Sequence, residues 1–240
     1  VFGKRLSIKL DPPPDIAHWT FPLPIKIKGA KNIYTIHDLV PLRLPYTTLD
    51  NKKYYYKLIK TLTKKADKII TVSDTSRKDL ERLFNLNGQE VINTYQAVDI
   101  PAKFIDIQQN ELANILKGNF DIEPGGYFLF VGAIEPKKNI SRLIEAYLAA
   151  NLDVPLLLAG PKGWLTDGEL APYYRHETVF SSLTGPNKKG VILLGFLSFS
   201  MIMYLMKGAK ALLFPSIYEG FGLPVLEAMS LGTPVLTSNT

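Results

Sequence analysis

The feature that most restricts the fold of this chain is an alternation between short apolar runs and segments of helical periodicity. The apolar runs have strand length and are rich in β-branched residues, which predicts strands buried on both faces. They lie at residues 33–36, 68–72, 127–131, 155–159, 191–194, 211–214 and 234–237. Helical periodicity is clearest at residues 50–66, 75–84, 140–150, 200–208 and 223–231. Strand, helix and strand in repeated order predict parallel sheets with helical crossovers, so the expected class is α/β.

A polar stretch without a strand-length run separates two such blocks. It is rich in glutamine and asparagine, with a short helix predicted at 110–116 and a turn at 123–126. The predicted organisation is a partial N-terminal domain at 1–105, an interdomain linker at 106–126 and a partial C-terminal domain at 127–240. Both domains look incomplete, because the first block holds three or four strands and the second stops after a strand without a covering helix. Such a chain is expected to be marginally stable, prone to associate through sheet edges, and weakly active or inactive by itself.

Composition and charge exclude several functional classes. The chain has no cysteine, which excludes a disulfide framework and a thiolate metal site and is compatible with a cytoplasmic location. No apolar run approaches the roughly 20 residues that span a bilayer. A net charge of +6 predicts anionic partners, such as nucleotide phosphates or an acidic membrane surface. Nucleic acid is disfavoured as a partner, because no helix-turn-helix, zinc-finger or RNP-type pattern is present.

The strongest chemical signal is a glycine-containing loop between a predicted strand and a predicted helix. Gly220 and Gly222 follow the strand, and Pro224 stands where the first turn of the helix is expected. The N–H groups and dipole of a helix start favour an anion such as a diphosphate, and glycines let the backbone approach it. Glu219 and Glu227 could accept hydrogen bonds from a ribose and from a transferred sugar. Spacing alone fits a solvated Glu219 and a helix-dipole role for Glu227 equally well.

This loop resembles the Glu-x7-Glu region of glycosyltransferase family 4. Residues 219–229 read Glu-Gly-Phe-Gly-Leu-Pro-Val-Leu-Glu-Ala-Met, and Gly-Thr-Pro-Val follows at 232–235. Three upstream segments are similar to family segments in the same order, at residues 34–39, 71–73 and 131–139. The resemblance covers most of residues 15–240. It implies the GT-B architecture, in which two Rossmann-like domains face a cleft.

The resemblance also implies roles for individual residues. Lys138 would hold the diphosphate of the sugar donor, where a fixed ammonium stabilises the leaving group. Lys137 would replace a basic residue that the family often has at the position of Ala133. The expected catalytic residues are His37, which would contact the transferred sugar, Lys138 and Glu219. The expected residues that bind the sugar donor are Ser73, Lys137, Lys138, Glu219, Gly220, Phe221, Gly222, Leu223 and Glu227.

Two of these residue types have a simpler interpretation when they are taken alone. A lysine pair in a loop is more often solvated, and a lone histidine at a strand end is more often structural. The position of each at the carboxyl end of a predicted strand favours a binding role, since open α/β sheets bind ligands there.

No metal ion or redox cofactor is expected. The sequence lacks an Asp-x-Asp pair and clustered His and Asp ligands, so no metal site is assigned. The absence of Gly-x-Gly-x-x-Gly after any strand disfavours a nicotinamide enzyme. Lysine and a helix dipole would replace Mg²⁺, and the expected sugar donor is GDP-mannose or a UDP-hexose.

A basic stripe follows the predicted helix at 50–66. Tyr55, Leu58, Ile59, Leu62 and Ala66 repeat at helical spacing and are expected to face a core. The stripe comprises Lys53, Lys57, Lys60, Lys64 and Lys68, flanked by Tyr54 and Tyr56. It fits either a solvated face or peripheral contact with an anionic membrane.

The predicted function is a metal-independent retaining glycosyltransferase that moves a hexose, with mannose favoured, to a glycan or a lipid-linked acceptor. The alternative is a non-catalytic fragment that binds a nucleotide sugar without turnover. A basic membrane-bound adaptor would leave the paired glutamates unexplained.

Overall fold

Parallel pairing accounts for every strand in the described part of the computed structural model, which covers residues 5–86, 91–175 and 190–239. The chain divides into two compact units. The first unit comprises Val1–Gln96 and Glu219–Phe221, and the second comprises Ala97–Tyr218 and Gly222–Thr240.

The first unit is built on a four-stranded sheet and a separate two-stranded sheet. Its elements are β1 (Leu6–Ile8), β2 (Ile16–Trp19), β3 (Ile25–Ile27), β4 (Lys31–Ile36), α1 (Val40–Arg43), α2 (Lys52–Lys65), β5 (Lys68–Thr71), α3 (Asp74–Phe84) and β6 (Val91–Asn93). The larger sheet has the order β2-β4-β5-β6, and β1 pairs with β3. Ile36, Ile59, Ile69 and Leu80 form the centre of a buried cluster that joins this sheet to its helices.

Helix α2 shows how local sequence sets one of these elements. The Asn51 side chain accepts a hydrogen bond from the N–H of Tyr54 at 2.9 Å, which caps the first turn. Leu58, Ile59 and Leu62 are buried, while the lysines on the opposite side are exposed. The helical spacing of apolar residues therefore places the core face where it was predicted.

The second unit is built on a five-stranded sheet with helices packed against it. Its elements are α4 (Ala102–Ile105), α5 (Gln109–Phe120), β7 (Phe128–Val131), α6 (Ile140–Ala150), β8 (Leu156–Ala159), α7 (Thr166–Glu169), α8 (Ala171–Arg175), β9 (Val191–Gly195), α9 (Phe199–Gly208), β10 (Ala211–Phe214), α10 (Leu223–Ser230) and β11 (Val235–Thr237). The strand order is β11-β10-β7-β8-β9. All four residues of β8 are buried, so the centre of this core lies around the middle strands.

The predicted α/β class is confirmed, and each predicted strand and helix overlaps an observed one. The positions of strands β1, β2, β3 and β6 were not predicted. These strands have only three or four residues and include polar side chains. The prediction that the last strand is buried on both faces is wrong, because β11 lies at a sheet edge and Leu236 is 59% exposed.

The segment predicted as a linker is largely helical. The short helix predicted at 110–116 is part of α5, and Leu112, Leu116 and Phe120 of α5 are buried in the core of the second unit. The division between the two units falls earlier in the chain, after Gln96.

Candidate active site

Two neighbouring strands of the second unit carry most of the predicted site. Strands β7 and β10 are paired in parallel, so their carboxyl ends lie at the same edge of the sheet. A 3₁₀ turn, Pro136–Lys138, follows β7, and α10 follows β10. This edge therefore brings together a lysine-bearing turn and the glycine-containing approach to a helix.

Hydrogen bonds join the lysine turn to the segment that follows β10. The side-chain amide of Asn139 donates to the carbonyl of Pro215 at 3.2 Å. The N–H of Ile217 donates to the carbonyl of Lys137 at 2.8 Å. The turn is thus attached to Pro215 and Ile217, the residues on either side of Ser216. Ser216 is buried, and its hydroxyl has no hydrogen-bond partner among the described residues.

The two lysines of this turn have different surroundings. Lys137 Nζ lies 3.7 Å from Glu135 Oε1, and the two side chains are only 15% and 6% exposed. Lys138 Nζ lies 4.8 Å from the ring centroid of Phe214, a buried residue at the end of β10. Lys137 is therefore engaged in a largely buried ion pair, whereas the ammonium of Lys138 is held over an aromatic face at the sheet edge.

A close backbone approach fixes the chain just before the turn. Gly132 and Gly160 follow β7 and β8, and a Cβ on Gly160 would lie 2.0 Å from the carbonyl oxygen of Gly132. Gly160 also has a φ of +152°. Only glycine fits at residue 160, and the resulting contact sets the path of the chain that leads to the lysine turn.

The helix α10 begins as its sequence predicts. Gly222 has a left-handed φ of 96°, and Pro224 lies in the first turn. Glu227 is half-buried in this helix, and burial raises the pKa of its carboxyl above the ordinary value. Hydroxyl donors would stabilise the ionised carboxylate of Glu227, because they replace part of the solvation that burial removes.

In the first unit, His37 follows β4 directly. Its Nε2 lies 2.9 Å from the carbonyl oxygen of Thr20, and since a carbonyl only accepts, Nε2 carries the proton. The carbonyl of His37 accepts a hydrogen bond from Ser76 Oγ at 2.7 Å. The backbone and one ring nitrogen of His37 are thus fixed within the unit, and Nδ1 is the nitrogen that can meet a ligand.

Ser73 caps helix α3 of the first unit. Its Oγ accepts a hydrogen bond from the N–H of Ser76 at 3.1 Å, and the two hydroxyls are 3.1 Å apart. The structure therefore gives Ser73 a capping function, and its predicted contact with a sugar donor stays a prediction.

The remaining predicted residues divide between the units. Gly222 and Leu223 belong to the second unit with Lys137, Lys138 and Glu227, whereas Glu219–Phe221 is counted with the first, as are His37 and Ser73. The convergence of Lys138, Glu219 and Glu227 on one cleft, with His37 opposite, stays a prediction.

The described residues contain neither a cluster of metal ligands nor a helix suited to cross a bilayer. No group of three or more His, Asp or Glu side chains is arranged there to hold a metal ion. Among the described helices, none combines the length and the apolar character that crossing a bilayer requires.

Comparisons with known proteins identify the family. The sequence model of "Glycosyl transferases group 1" matches residues 115–240, and that of "Glycosyltransferase Family 4" matches residues 4–100. The chain belongs to these glycosyltransferases. The family that the Glu-x7-Glu segment resembles is thus confirmed.

Several curated family members align with nearly the whole chain. O-antigen chain mannosyltransferase B of Escherichia coli is 33% identical over 225 residues, which are 91% of this chain and 55% of that protein. O-antigen chain mannosyltransferase RfbU of Salmonella typhimurium is 30% identical over 85% of this chain and 51% of its own length. The chain spans about half the length of these relatives.

Solved glycosyltransferase structures share the fold. WaaG, a glycosyltransferase involved in lipopolysaccharide biosynthesis, has a TM-score of 0.70 at 18% identity, covering 95% of this chain and 60% of WaaG. Anabaena Alr3699/HepE in complex with UDP and glucose has a TM-score of 0.69 at 16% identity, covering 88% of this chain and 53% of HepE. The GT-B fold type expected from the resemblance is confirmed.

Sequence reasoning did not identify several residues that build the site in this family member. Glu135 was not singled out, although a carboxylate two positions before a lysine could have indicated a pair. Asn139 was not singled out either, although asparagine before a helix is one of the few residues that tolerates a left-handed backbone. Ser216 gave no sequence signal.

Proposed function

We propose that this chain is the core of a retaining, metal-independent glycosyltransferase that uses a nucleotide diphosphate sugar. The observation that carries the proposal is the shared sheet edge of β7 and β10, where the Lys138 turn and the α10 N-terminus follow neighbouring strands. A cation and a helix start at one edge form a site for a diphosphate. HepE, which shares the fold, has a structure that holds UDP and glucose.

The same edge supplies the charge that the leaving group needs. Lys138 and the dipole of α10 face the negative charge that develops on a departing diphosphate, which stabilises the transition state more than the ground state. No step then needs a divalent cation. Retention would follow from attack on the face from which the diphosphate departs, with no protein nucleophile assigned.

The carboxylates and His37 would bind the sugars. Glu227 would accept hydrogen bonds from the ribose hydroxyls, and Glu219 and His37 would contact the transferred hexose. Gly220, Phe221 and the α10 start would line the path of the sugar donor. Mannose is favoured as the hexose, because the curated relatives include the mannosyltransferases from Escherichia coli and Salmonella typhimurium.

The acceptor would be a glycan, free or linked to a lipid carrier. A relative from Campylobacter jejuni, 30% identical over 89% of this chain and 52% of that protein, carries a diphospho-undecaprenol sugar in its name. We place the reaction in the cytoplasm, at the inner face of a membrane.

Helix α2 supports peripheral contact with an anionic membrane. Lys53, Lys57, Lys60 and Lys64 are exposed on this helix, whereas Lys68 of the predicted stripe lies on β5. A groove of about 670 Å³ lies beside the stripe, lined by Lys60, Lys64 and the apolar side chains of Leu83, Phe84 and Leu86. Ammonium groups beside apolar side chains are suited to bind a lipid phosphate and the first carbons of the acyl chain of that lipid.

The proposal is tested by transfer from radiolabelled GDP-mannose and UDP-glucose to a polyprenyl-diphosphate-linked glycan, with EDTA present throughout. We expect one sugar donor to support transfer with retention of configuration at the anomeric carbon. Binding of a nucleotide sugar without transfer or hydrolysis would instead support the non-catalytic alternative. Binding of neither nucleotide sugar would contradict the proposal.

A further inference from the structure

Asn139 lies between the lysine turn and helix α6 in a conformation that few residues adopt. Its φ and ψ are 60° and 37°, in the left-handed region. Asn139 is both the C-cap of the turn and the N-cap of α6. Its N–H donates to the carbonyl of Pro136 at 3.1 Å, which closes the turn that carries both lysines. The backbone of Asn139 thus sets the shape of this turn.

The side chain of Asn139 has a second and different contact. It reaches 76 positions along the sequence to the carbonyl of Pro215, which follows β10. The backbone hydrogen bond from Ile217 to Lys137 runs in the opposite direction between the same two segments. These two hydrogen bonds set the distance between the turn of Lys138 and the chain that leads to α10.

We infer that Asn139 is a positioning residue for the diphosphate, acting through Lys138. This inference rests on the proposed function. An ammonium and a helix start that share one diphosphate must be held at a fixed separation, and a shift of about 1 Å in a positioned group can lower a rate by about 10²-fold. Asn139 holds the turn of Lys138 against Pro215, on the segment between β10 and α10, whereas the proposed ribose ligand Glu227 belongs to α10 itself.

A matched pair of variants distinguishes the contribution of the Asn139 side chain from that of its left-handed backbone. Asn139→Gly removes the amide but keeps the left-handed conformation, which glycine adopts without strain. Asn151, at the other end of α6, is also left-handed, with a φ of 45°, and its backbone N–H caps the helix. Asn151→Gly is therefore the control for the loss of a left-handed asparagine from this helix.

The experiment is calorimetric titration of both variants and the wild type with GDP, GMP, UDP and UMP. We expect Asn139→Gly to bind the diphosphate at least about tenfold more weakly, with mononucleotide affinity unchanged, and Asn151→Gly to match the wild type. Amide hydrogen exchange should be faster at Ile217 in Asn139→Gly alone. An equal loss for mono- and diphosphate would show a structural role and overturn the inference.

The outcomes also distinguish the inference from the function on which it rests. A wild-type chain that binds no diphosphate overturns the proposed function, and the inference falls with it. A wild-type chain that binds diphosphate, with Asn139→Gly indistinguishable from wild type, overturns the inference alone.

Discussion

The strand ends of the two units differ in how their predicted residues are held. In the second unit, the lysine turn is joined to the segment after β10 by hydrogen bonds and contains a largely buried ion pair. In the first unit, Ser73 caps its own helix and His37 contacts the carbonyl of Thr20. In the second unit the lysine turn is thus joined to the chain that follows a neighbouring strand, whereas in the first unit Ser73 is held at the start of its own helix and His37 by Thr20 and Ser76. We expect substitutions at the lysine turn and in α10 to change nucleotide-sugar binding more than substitutions at Ser73, whose observed contact is a helix cap.

The largest expected effect is a loss of stability in Lys137→Ala. This change removes the ammonium that faces the buried carboxylate of Glu135, and removing one partner of a buried pair costs on the order of 3–5 kcal/mol. Lys138→Ala should lower the melting temperature less, because it removes a contact with the Phe214 ring but no buried ion pair, and it should abolish measurable diphosphate binding. Thermal unfolding and calorimetry on both variants check this contrast.

The double variant Glu135→Gln with Lys137→Met is the control for the pair. It removes both charges together and should recover much of the stability that Lys137→Ala loses. Equal melting temperatures for wild type and Lys137→Ala would show that the pair contributes nothing.

The next largest effect is expected at Glu227. Its pKa is raised by burial, and ribose hydroxyls donate to the ionised form, so nucleotide-sugar affinity should rise as pH rises through that pKa. The change should fall above the ordinary glutamate pKa of about 4.3. A nucleotide sugar is the right probe, because its diphosphate carries no second ionisation near neutral pH.

Glu227→Gln should remove this pH dependence and weaken binding by about 1.5–3 kcal/mol, the range for a hydrogen bond to a charged group. Calorimetric titration at one pH below and one pH above the pKa of Glu227 measures both the pH dependence and the loss of binding free energy. An unchanged pH profile in Glu227→Gln would assign the titration to another group.

A smaller effect is expected at Ser73. Ser73→Ala should cost about 1 kcal/mol through loss of the helix cap, and Ser73→Asp should keep the cap and its stability. If Ser73 also lies beside the diphosphate, the added carboxylate of Ser73→Asp should weaken nucleotide-sugar binding. Denaturant unfolding and calorimetry on the two variants separate capping from binding, and unchanged binding in Ser73→Asp would restrict Ser73 to its cap.

The smallest effect per residue is expected on α2. Lys60→Gln and Lys64→Gln should each weaken association with phosphatidylglycerol vesicles by about 1 kcal/mol, and added salt should reduce the difference. Lys31→Gln, on the amino end of β4, is the matched control. Vesicle sedimentation measures the affinity, and equal binding by all variants would show that the stripe is only solvated.

The sequence was sufficient for elements whose signal is local. Strand β8 is a continuous apolar run, β4 and β5 are rich in β-branched residues, and α2 repeats its apolar residues at helical spacing, so their positions were predicted closely. Strand β2 was not, because His18 interrupts a run of only four residues. The exposure of Leu236 could not be read from the sequence either, since an edge strand and a central strand share the same pattern.

The site shows the same limit. Glu219, Glu227 and the two lysines carry recognisable sequence patterns, so they were singled out. The contact from Asn139 to Pro215 joins residues 76 positions apart, and no local pattern indicates it. The engagement of Lys137 by Glu135 follows from burial, which a loop sequence does not reveal.

The most direct test of the central claim is calorimetric titration of GDP-mannose and UDP-glucose into the chain in the presence of EDTA, with Lys138→Ala alongside. We predict saturable binding of one nucleotide sugar by the wild type without any metal ion, and loss of that binding in Lys138→Ala. Binding that appears only when Mg²⁺ or Mn²⁺ is added, or binding that Lys138→Ala leaves unchanged, would contradict it.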